Sequence, residues 1–330
     1  MTSSATLEAA DPALAAAVLS GLDAVENRLR EVVHSSHPLL AEASSHLMLA
    51  GGKRVRPLLT LVASHLGDPT SAGIVDAAVV VELTHLATLY HDDVMDEAPV
   101  RRGTQSANAR WGNTVAILTG DYLFARASDL TAGLGTEVTR LQSQTFARLV
   151  EGQIAETAGP GPDEDPVAHH LRVVADKTGS LIATSARLGA MVAGADADDV
   201  EAVARFGEVF GVAFQLSDDL IDIASDAADS GKTPGTDLRE GVATLPVLLV
   251  LAAEEPGDRQ LRELLMGDLS DDGRLAEALT GLRSHPAMSV ARGQLGAYVE
   301  QARDLAGSLS AGPVRAALFG LADLLSARTG

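Results

Sequence analysis

Residues 75–94 read VDAAVVVELTHLATLYHDDV, and this stretch decides the fold. Drawn as a helix, it is apolar on nearly every face, which is typical of a helix buried among other helices. We therefore predict one long helix from Ser71 to Val94. It ends in three carboxylates, Asp92, Asp93 and Asp96, which we call the first acidic cluster.

A second apolar segment is predicted to be helical from about Val200 to Ile223, and it ends in FQLSDDLID. Its carboxylates, Asp218, Asp219 and Asp222, form the second acidic cluster. Apolar residues recur at helical spacing from about residue 11 to 327, and no long alternating run indicates a sheet. The prediction is an all-α fold of roughly a dozen helices, in which two buried helices bring carboxylates to one end.

Composition narrows the possible partners. The 45 acidic and 25 basic residues give a net charge of −20, which disfavours binding to nucleic acid or an anionic membrane. No cysteine is present, so thiolate chemistry and Cys-based zinc sites are excluded. The N-terminus lacks a basic signal region, and the apolar run 242–253 is short and contains Pro246. We expect a cytoplasmic protein with no integral membrane segment.

The spacing within both acidic clusters suits a hard cation. Asp92 and Asp96 are four residues apart, and so share one helical face about a turn apart. Carboxylates at this spacing repel one another, and Mg²⁺ offsets such repulsion while bridging carboxylates to phosphates. A single DDxxD is more often a solvated helix end. The second copy and the basic residues near both clusters favour a metal site.

The basic residues near the clusters form candidate anion sites. Residues 51–57 read GGKRVRP, where Lys53 and Arg56 share a face at a spacing of three. Solvated cations at a helix start would be the alternative, but cations are disfavoured there unless an anion joins them. Arg101 and Arg102 follow the first cluster and suit bidentate phosphate contacts.

The remaining motifs are less specific. Lys177-Thr178 and Lys232-Thr233 each place a lysine beside a hydroxyl, but neither fits a P-loop, and no G-x-S-x-G elbow or dinucleotide fingerprint is present. His85, seven residues before the first cluster, either donates to a diphosphate or is a satisfied core histidine.

Taken together and in order, these motifs resemble those of a known family. The ordered series GGKRVRP, HLATLYHDDVMDEAPVRRG, KTGSLIATSA, FQLSDDLIDI and GKTPGTDLREGVATLP is similar to that of the trans-isoprenyl diphosphate synthases, also called polyprenyl synthetases. The resemblance covers nearly the whole length. It implies one all-α domain over residues 1–330 around a central cavity, with residues 1–10 flexible, and a homodimer.

The resemblance also implies roles for individual residues. Asp92 and Asp96 would be ligands shared by two magnesium ions, and Asp218 the principal ligand of a third, while Asp93, Asp219 and Asp222 would support the metals. Residues matching the isopentenyl diphosphate site are Lys53, Arg56, His85 and Arg102. Those matching positions that bind the allylic diphosphate or face its reacting carbon are Arg101, Lys177, Thr178, Gln215 and Lys232.

The implied reaction is magnesium-dependent condensation of isopentenyl diphosphate with an allylic diphosphate, with farnesyl or geranylgeranyl diphosphate as primer. In the resembled family the position matching Ala87 faces the growing chain, so the small side chains at Ala87, Thr88 and Thr84 imply an all-trans product of C30–C50. We expect that product to be handed to membrane enzymes. The alternatives are a C20 geranylgeranyl product, a class I terpene cyclase and a non-catalytic synthase subunit. Both acidic clusters are intact and the Lys53/Arg56 pair is retained, which disfavours the last two.

Overall fold

The computed structural model describes residues 3–225, 234–253 and 256–328. The described residues are almost entirely helical, which confirms the predicted all-α fold. In chain order the helices are α1 Ser3–Ala10, α2 Pro12–Val32, α3 Pro38–Leu49, α4 Val55–Ser64, α5 Ile74–Met95, α6 Ala107–Trp111, α7 Asn113–Leu134, α8 Thr136–Ala158, α9 Pro166–Val174, α10 Ser180–Val192, α11 Ala197–Ala224, α12 Thr236–Arg239, α13 Leu245–Ala252, α14 Arg259–Leu265, α15 Asp272–Ser284, α16 Pro286–Gly307 and α17 Pro313–Ala327.

Four short elements lie between the helices of the described chain. Strands β1 (Val100–Arg101) and β2 (Thr104–Gln105) form a small antiparallel hairpin. A π-helical turn, Ala175–Gly179, leads into α10, and a 3₁₀ turn, Pro256–Asp258, precedes α14. The chain is therefore divided into more segments than the dozen expected.

Local sequence explains where several helices begin. Proline occupies the first turn of α2 and α9, where its missing N–H costs nothing, and the side chains of Asp11 and Asp165 cap the exposed N–H groups. Helix α5 begins after Gly73, whose φ of +95° requires glycine, and a Cβ there would lie 2.6 Å from Leu134.

Helix α5 is the centre of the fold. It packs against α7, α4, α10 and α2, while α11 packs against α10 and α16. By length and composition α5 could cross a membrane, but 67% of its most apolar window is buried inside the protein. Its nearly uniform hydrophobicity thus reflects a central position, as the sequence predicts.

The buried apolar residues form two groups. The main core extends from Leu7 on α1 to Leu325 on α17. A separate, smaller cluster fills the space between α5, α8 and α10, with partly buried residues of α7 packed against it. Its buried members are Ala77, Val80, Val81, Val138, Leu149, Leu181 and Leu188.

The N-terminal residues differ from expectation. Instead of a flexible stretch over residues 1–10, Ser3–Ala10 form α1, which packs on α17. Leu7 is fully buried and so anchors this helix to the main core. The sequence does not predict this contact, because α1 has only one strongly hydrophobic side chain.

Candidate active site

The first acidic cluster closes the C-terminal end of α5. Asp92 and Asp93 lie in its last turn and Asp96 is the capping residue. Burial raises the pKa of Asp92 to about 6, with nearby Asp96 adding to the effect and Lys177 opposing it. Asp93 is fully buried and accepts a hydrogen bond of 2.5 Å from Arg101 Nε, whereas its Oδ2 has no partner in the described residues.

In the second cluster, Asp219 ends a chain of hydrogen bonds. Thr178 donates to Gln215 over 3.2 Å, and the Gln215 amide donates to Asp219 Oδ1 over 2.9 Å. Asp219 Oδ2 is buried without a hydrogen-bond partner in the described part of the chain, and His170 Nε2 lies 3.7 Å away. These two hydrogen bonds fix the Thr178 hydroxyl and the Asp219 carboxylate relative to each other.

The other two carboxylates of this cluster have different surroundings. Lys53 Nζ lies 3.1 Å from both oxygens of Asp218, and Arg328 Nη2 lies 2.8 Å from one of them. Asp222 accepts from the backbone N–H groups of Thr236 and Asp237 at the start of α12, each over 3.2 Å. Asp218 is thus compensated by cations, and Asp222 by a helix N-terminus.

Both acidic clusters contribute to one cavity of about 580 Å³. Among the residues that line it are Asp92, Asp96, Arg101, Lys177, Thr178, Gln215 and Asp219. Within the described ranges, no three carboxylates or imidazoles come close enough to hold a metal ion by themselves. Mg²⁺ is commonly held by one or two carboxylates together with substrate phosphates, so an oxygen-rich cavity of this kind fits it without a complete protein cage.

Four basic residues near the start of α4, Arg54, Arg56, His85 and Arg102, form what we call the basic cluster. The buried Glu82 carboxylate lies beside two of them. Arg54 has a left-handed backbone (φ +47°) and its guanidinium bonds to Glu26, to Glu82 at 2.7 Å and to the Met48 carbonyl. Arg102 Nη2 lies 3.8 Å from the same Glu82 carboxylate. The glutamate therefore compensates two of the positive charges.

The double glycine makes room for Arg102. Gly51 has φ +91° and its carbonyl accepts from the Arg102 guanidinium. A Cβ on Gly52 would lie 3.1 Å from the same guanidinium. The two glycines thus let the backbone wrap closely around an arginine that is 51 residues away.

Arg56 and His85 are the least compensated members of the basic cluster. Arg56 Nε is buried and has no hydrogen-bond partner among the described residues. Burial lowers the Arg56 pKa to about 10, and Arg102 adds to this effect. Burial, with Arg56 and Arg102 nearby, also lowers the pKa of His85 well below its usual value. An incoming anion would stabilise these groups.

The predicted chain-length residues all lie on α5 but have different surroundings. Thr88 and Asp92 line a smaller cavity of about 120 Å³ together with Phe124 and Phe146, and the centroids of these two rings lie 4.2 Å apart. Ala87 is fully buried within the main core instead. Thr84 is also fully buried, one turn below Thr88.

The structure adds residues that the sequence motifs do not reveal. Glu156 forms an ion pair with Lys177, and Glu240 lines the large cavity near Arg101. These side chains meet only because distant segments pack together. Glu82, by contrast, could be found in the sequence, as a charged residue between apolar residues in the middle of α5. Lys232 lies outside the described residues.

The chain is similar to known proteins over most of its length. The polyprenyl synthetase family model matches residues 37–282. The chain is 48% identical over 327 residues to a nonaprenyl diphosphate synthase of Mycobacterium tuberculosis, covering 99% of this chain and 98% of the relative.

Two solved structures have the same fold. One is a geranylgeranyl pyrophosphate synthase from Corynebacterium glutamicum, complexed with calcium and isoprenyl diphosphate (TM-score 0.86, 44% identity, 97% and 98% of the two chains). The other is a decaprenyl diphosphate synthase from Rhodobacter capsulatus (TM-score 0.86, 34% identity, 97% and 99%).

Proposed function

The chain belongs to the polyprenyl synthetase family, and from this membership we propose that it condenses isopentenyl diphosphate with an allylic diphosphate to give an all-trans polyprenyl diphosphate of C30–C50. Farnesyl or geranylgeranyl diphosphate would be the primer. The nonaprenyl and decaprenyl synthases among its relatives support a long product.

The observation that carries this proposal is the shared cavity. Carboxylates of both acidic clusters line it, next to Lys177 and Arg101, and so place acidic and basic groups around one space. An allylic diphosphate can bind there only if cations compensate its charge. A divalent metal and these two basic side chains would supply them.

Asp92 and Asp96 are the residues we assign to metal binding at this cavity, with Asp219 facing them from α11. The buried Oδ2 atoms of Asp93 and Asp219, which have no hydrogen-bond partner among the described residues, also suit an added cation. Asp218 would have to exchange Lys53 and Arg328 for a metal. Three bound Mg²⁺ ions would supply Lewis-acid stabilisation of the charge that develops on the departing diphosphate.

The chain's own residues would orient the allylic substrate. Lys177, drawn toward Glu156, and Arg101, held by Asp93, are both positioned to contact diphosphate oxygens. Thr178 and Gln215 are linked by a hydrogen bond and present polar groups near the reacting carbon. The apolar side chains around the smaller cavity would exclude water from an allylic cation.

Isopentenyl diphosphate is assigned to the basic cluster. Arg56 and His85 are poorly compensated there, and Arg102 lies alongside them. A diphosphate would give these groups charge-assisted hydrogen bonds. Lys53 could join them on leaving Asp218.

We further propose that residues 1–330 form a single domain that acts in the cytoplasm as a homodimer. One core joins α1 to α17, which supports the single domain. Exposed apolar side chains on the neighbouring helices α7 and α8, namely Ile117, Leu118, Val150 and Ile154, support a subunit interface. The product would then be passed to membrane enzymes.

The deciding experiment incubates the purified protein with Mg²⁺, isopentenyl diphosphate and farnesyl diphosphate, followed by mass analysis of the products. We expect C30–C50 prenyl diphosphates, and none when Mg²⁺ is chelated. Cyclised hydrocarbon formed from farnesyl diphosphate alone would instead identify a terpene cyclase. Absence of products with any allylic primer would contradict the assignment.

A C20 product is the second candidate. The smaller cavity has Phe124 and Phe146 in its wall, and aromatic rings at this depth could end the chain early. The similarity to a geranylgeranyl pyrophosphate synthase favours the same outcome. The mass of the main product separates the two candidates.

A further inference from the structure

The π-helical turn Ala175–Gly179, which we call the π turn, contains two residues that line the large cavity, Lys177 and Thr178. It leads directly into α10, because the N–H of Ser180 donates to the carbonyl of Ala175, five residues earlier. Such turns are rare and often lie at functional sites. One extra residue rotates the side chains that follow by about 100° relative to a regular α-helix. The shape of the π turn therefore decides where Lys177 and Thr178 point.

One face of α8 packs on the π turn through Arg148, Gly152 and Glu156, which are four residues apart and so share that face. Arg148 Nε donates to the Asp176 carboxylate over 2.6 Å, and Glu156 forms an ion pair with Lys177. A Cβ on Gly152 would lie 2.8 Å from the Asp176 Cβ and 3.1 Å from the Lys177 backbone nitrogen. The close approach of α8 to the π turn therefore requires glycine at this position.

Helix α11 also packs closely on the π turn. A Cβ on Gly211 would lie only 2.7 Å from the Cα of Gly179. One turn further along α11, Gln215 accepts the 3.2 Å hydrogen bond from Thr178. The distance between the π turn and α11 thus determines whether this hydrogen bond can form.

Arg148 connects α8, the π turn and α11. Its Nη2 donates to Glu208 on α11 over 2.6 Å, while its Nε bonds to Asp176. The side chains of Arg148, Asp176 and Glu208 are 36%, 23% and 41% exposed, so water screens these charges and their contribution to stability should be modest. Arg148 is not among the described residues that line the large cavity. Any effect of Arg148 on the reaction must therefore act through the residues that it holds.

We propose that Arg148 is a positioning residue, which holds the π turn against α11 so that Lys177 and Thr178 face the allylic diphosphate. This inference rests on the proposed prenyltransferase function. A displacement of about 1 Å in a catalytic group can lower a rate about 100-fold. A contact that strengthens as charge develops on the departing diphosphate affects kcat more than KM. Loss of Arg148 should therefore lower kcat and change each KM only slightly.

The test compares Arg148→Gln with Arg187→Gln. Arg187 on α10 is the matched control, because it forms an ion pair with Glu201 on α11 and its side chain is 33% exposed, but it lies outside the π turn. Kinetic constants are measured with isopentenyl diphosphate, farnesyl diphosphate and Mg²⁺, and stability by urea unfolding. Arg148→Gln should lower kcat about 10- to 100-fold and change each KM less than about threefold. Arg187→Gln should leave kcat within about twofold of wild type, and both variants should stay folded.

Two further measurements show whether Arg148 acts through the π turn. Asp176→Asn removes the same contact from its other partner, so the double variant with Arg148→Gln should have about the kcat of Arg148→Gln alone. Amide hydrogen exchange in the substrate-free protein should become faster at residues 175–180 in Arg148→Gln, and should not change there in Arg187→Gln.

Each outcome bears on the proposal. A fall in kcat of at least fivefold in Arg148→Gln, with faster exchange at residues 175–180, supports it, and a smaller fall means that Arg148 only stabilises the fold. A fall in kcat without faster exchange, or effects of the two variants that multiply, would show that Arg148 does not act by holding the π turn. If the wild-type protein extends no allylic primer, the prenyltransferase assignment fails, and the exchange data still show whether Arg148 holds the π turn.

Discussion

Arg56 offers the sharpest test of the isopentenyl diphosphate site, because Arg54, two residues earlier at the start of the same helix, provides a control. The two guanidiniums differ in their partners. Arg54 bonds to Glu26 and Glu82, whereas Arg56 Nε is buried without a partner in the described chain. We predict that Arg56→Gln impairs substrate binding, and that Arg54→Gln impairs stability.

The magnitude follows from the two environments. A charge-assisted hydrogen bond to diphosphate contributes about 1.5 to 3 kcal/mol, so losing one should raise the KM for isopentenyl diphosphate about 10- to 150-fold. The KM for the allylic substrate should change less than about threefold, since that diphosphate is assigned to another part of the site.

Arg56→Gln should raise the stability of the substrate-free protein even though it weakens substrate binding. Burial lowers the pKa of Arg56 from its usual value to about 10, so the charged form destabilises the substrate-free protein at neutral pH. At 1.36 kcal/mol per pKa unit, this amounts to about 3 kcal/mol at most, and Arg56→Gln should recover about 1 to 3 kcal/mol. Arg54→Gln should instead lose about 3 kcal/mol, because it leaves Glu82 poorly paired.

The assay combines steady-state kinetics with urea unfolding of the substrate-free proteins at pH 7. Arg56→Lys separates charge from geometry, and should recover part of the lost binding. If Arg54→Gln raised the KM for isopentenyl diphosphate and Arg56→Gln did not, Arg54 would be the ligand. If Arg56→Gln raised only the allylic KM, the two substrate sites would be reversed.

Three further predictions concern the metal end, the chain tunnel and pH. Asp92→Ala or Asp218→Ala should lower turnover by orders of magnitude and leave the circular dichroism spectrum unchanged; near-normal turnover at saturating Mg²⁺ would remove that residue from the metal site. Thr88→Phe should fill the smaller cavity and shift products toward C15 or C20 by mass analysis, whereas Ala87→Phe should overpack the main core and lose about 1 to 3 kcal/mol in urea unfolding. Burial lowers the pKa of His85 in the folded state, so the unfolded state binds more protons as the pH drops below about 6.5. The free energy of unfolding should therefore decrease as the pH decreases, by up to about 1.4 kcal/mol per pH unit. His85→Gln should lack this slope between pH 5 and 7.

Much of the fold could be predicted because it depends on periodic burial. Helix α5 was expected at Ser71–Val94 and spans Ile74–Met95, and α11 was expected from Val200 to Ile223 and spans Ala197–Ala224. A helix that is apolar on all sides must be surrounded, and this constraint is visible in one sequence. The sequence does not predict the Ser3–Ala10 helix, because the burial of this helix depends on contact with α17.

The site was only partly predictable, for a different physical reason. Sequence spacing identifies which residues share a helix face, but not which charges meet across the fold. It could not distinguish Arg54, which forms ion pairs with Glu26 and Glu82, from Arg56, whose Nε has no hydrogen-bond partner among the described residues. Nor could it separate Thr88, which lines a cavity, from Ala87, which lies in the core.

The pairing of Asp218 shows how an acidic chain can maintain such a site. Three carboxylates within five residues repel one another, yet each has its own compensation: two basic side chains for Asp218, the Gln215 amide for Asp219, and backbone N–H groups for Asp222. Compensation by Lys53 and by Arg328 is exchangeable, because both side chains are partly exposed and have room to leave when a metal or diphosphate arrives. Compensation by a buried amide or a helix N-terminus is fixed. Asp218 is therefore the member of the second cluster whose carboxylate can change partners during a catalytic cycle, and Asp222 the member that holds the start of α12.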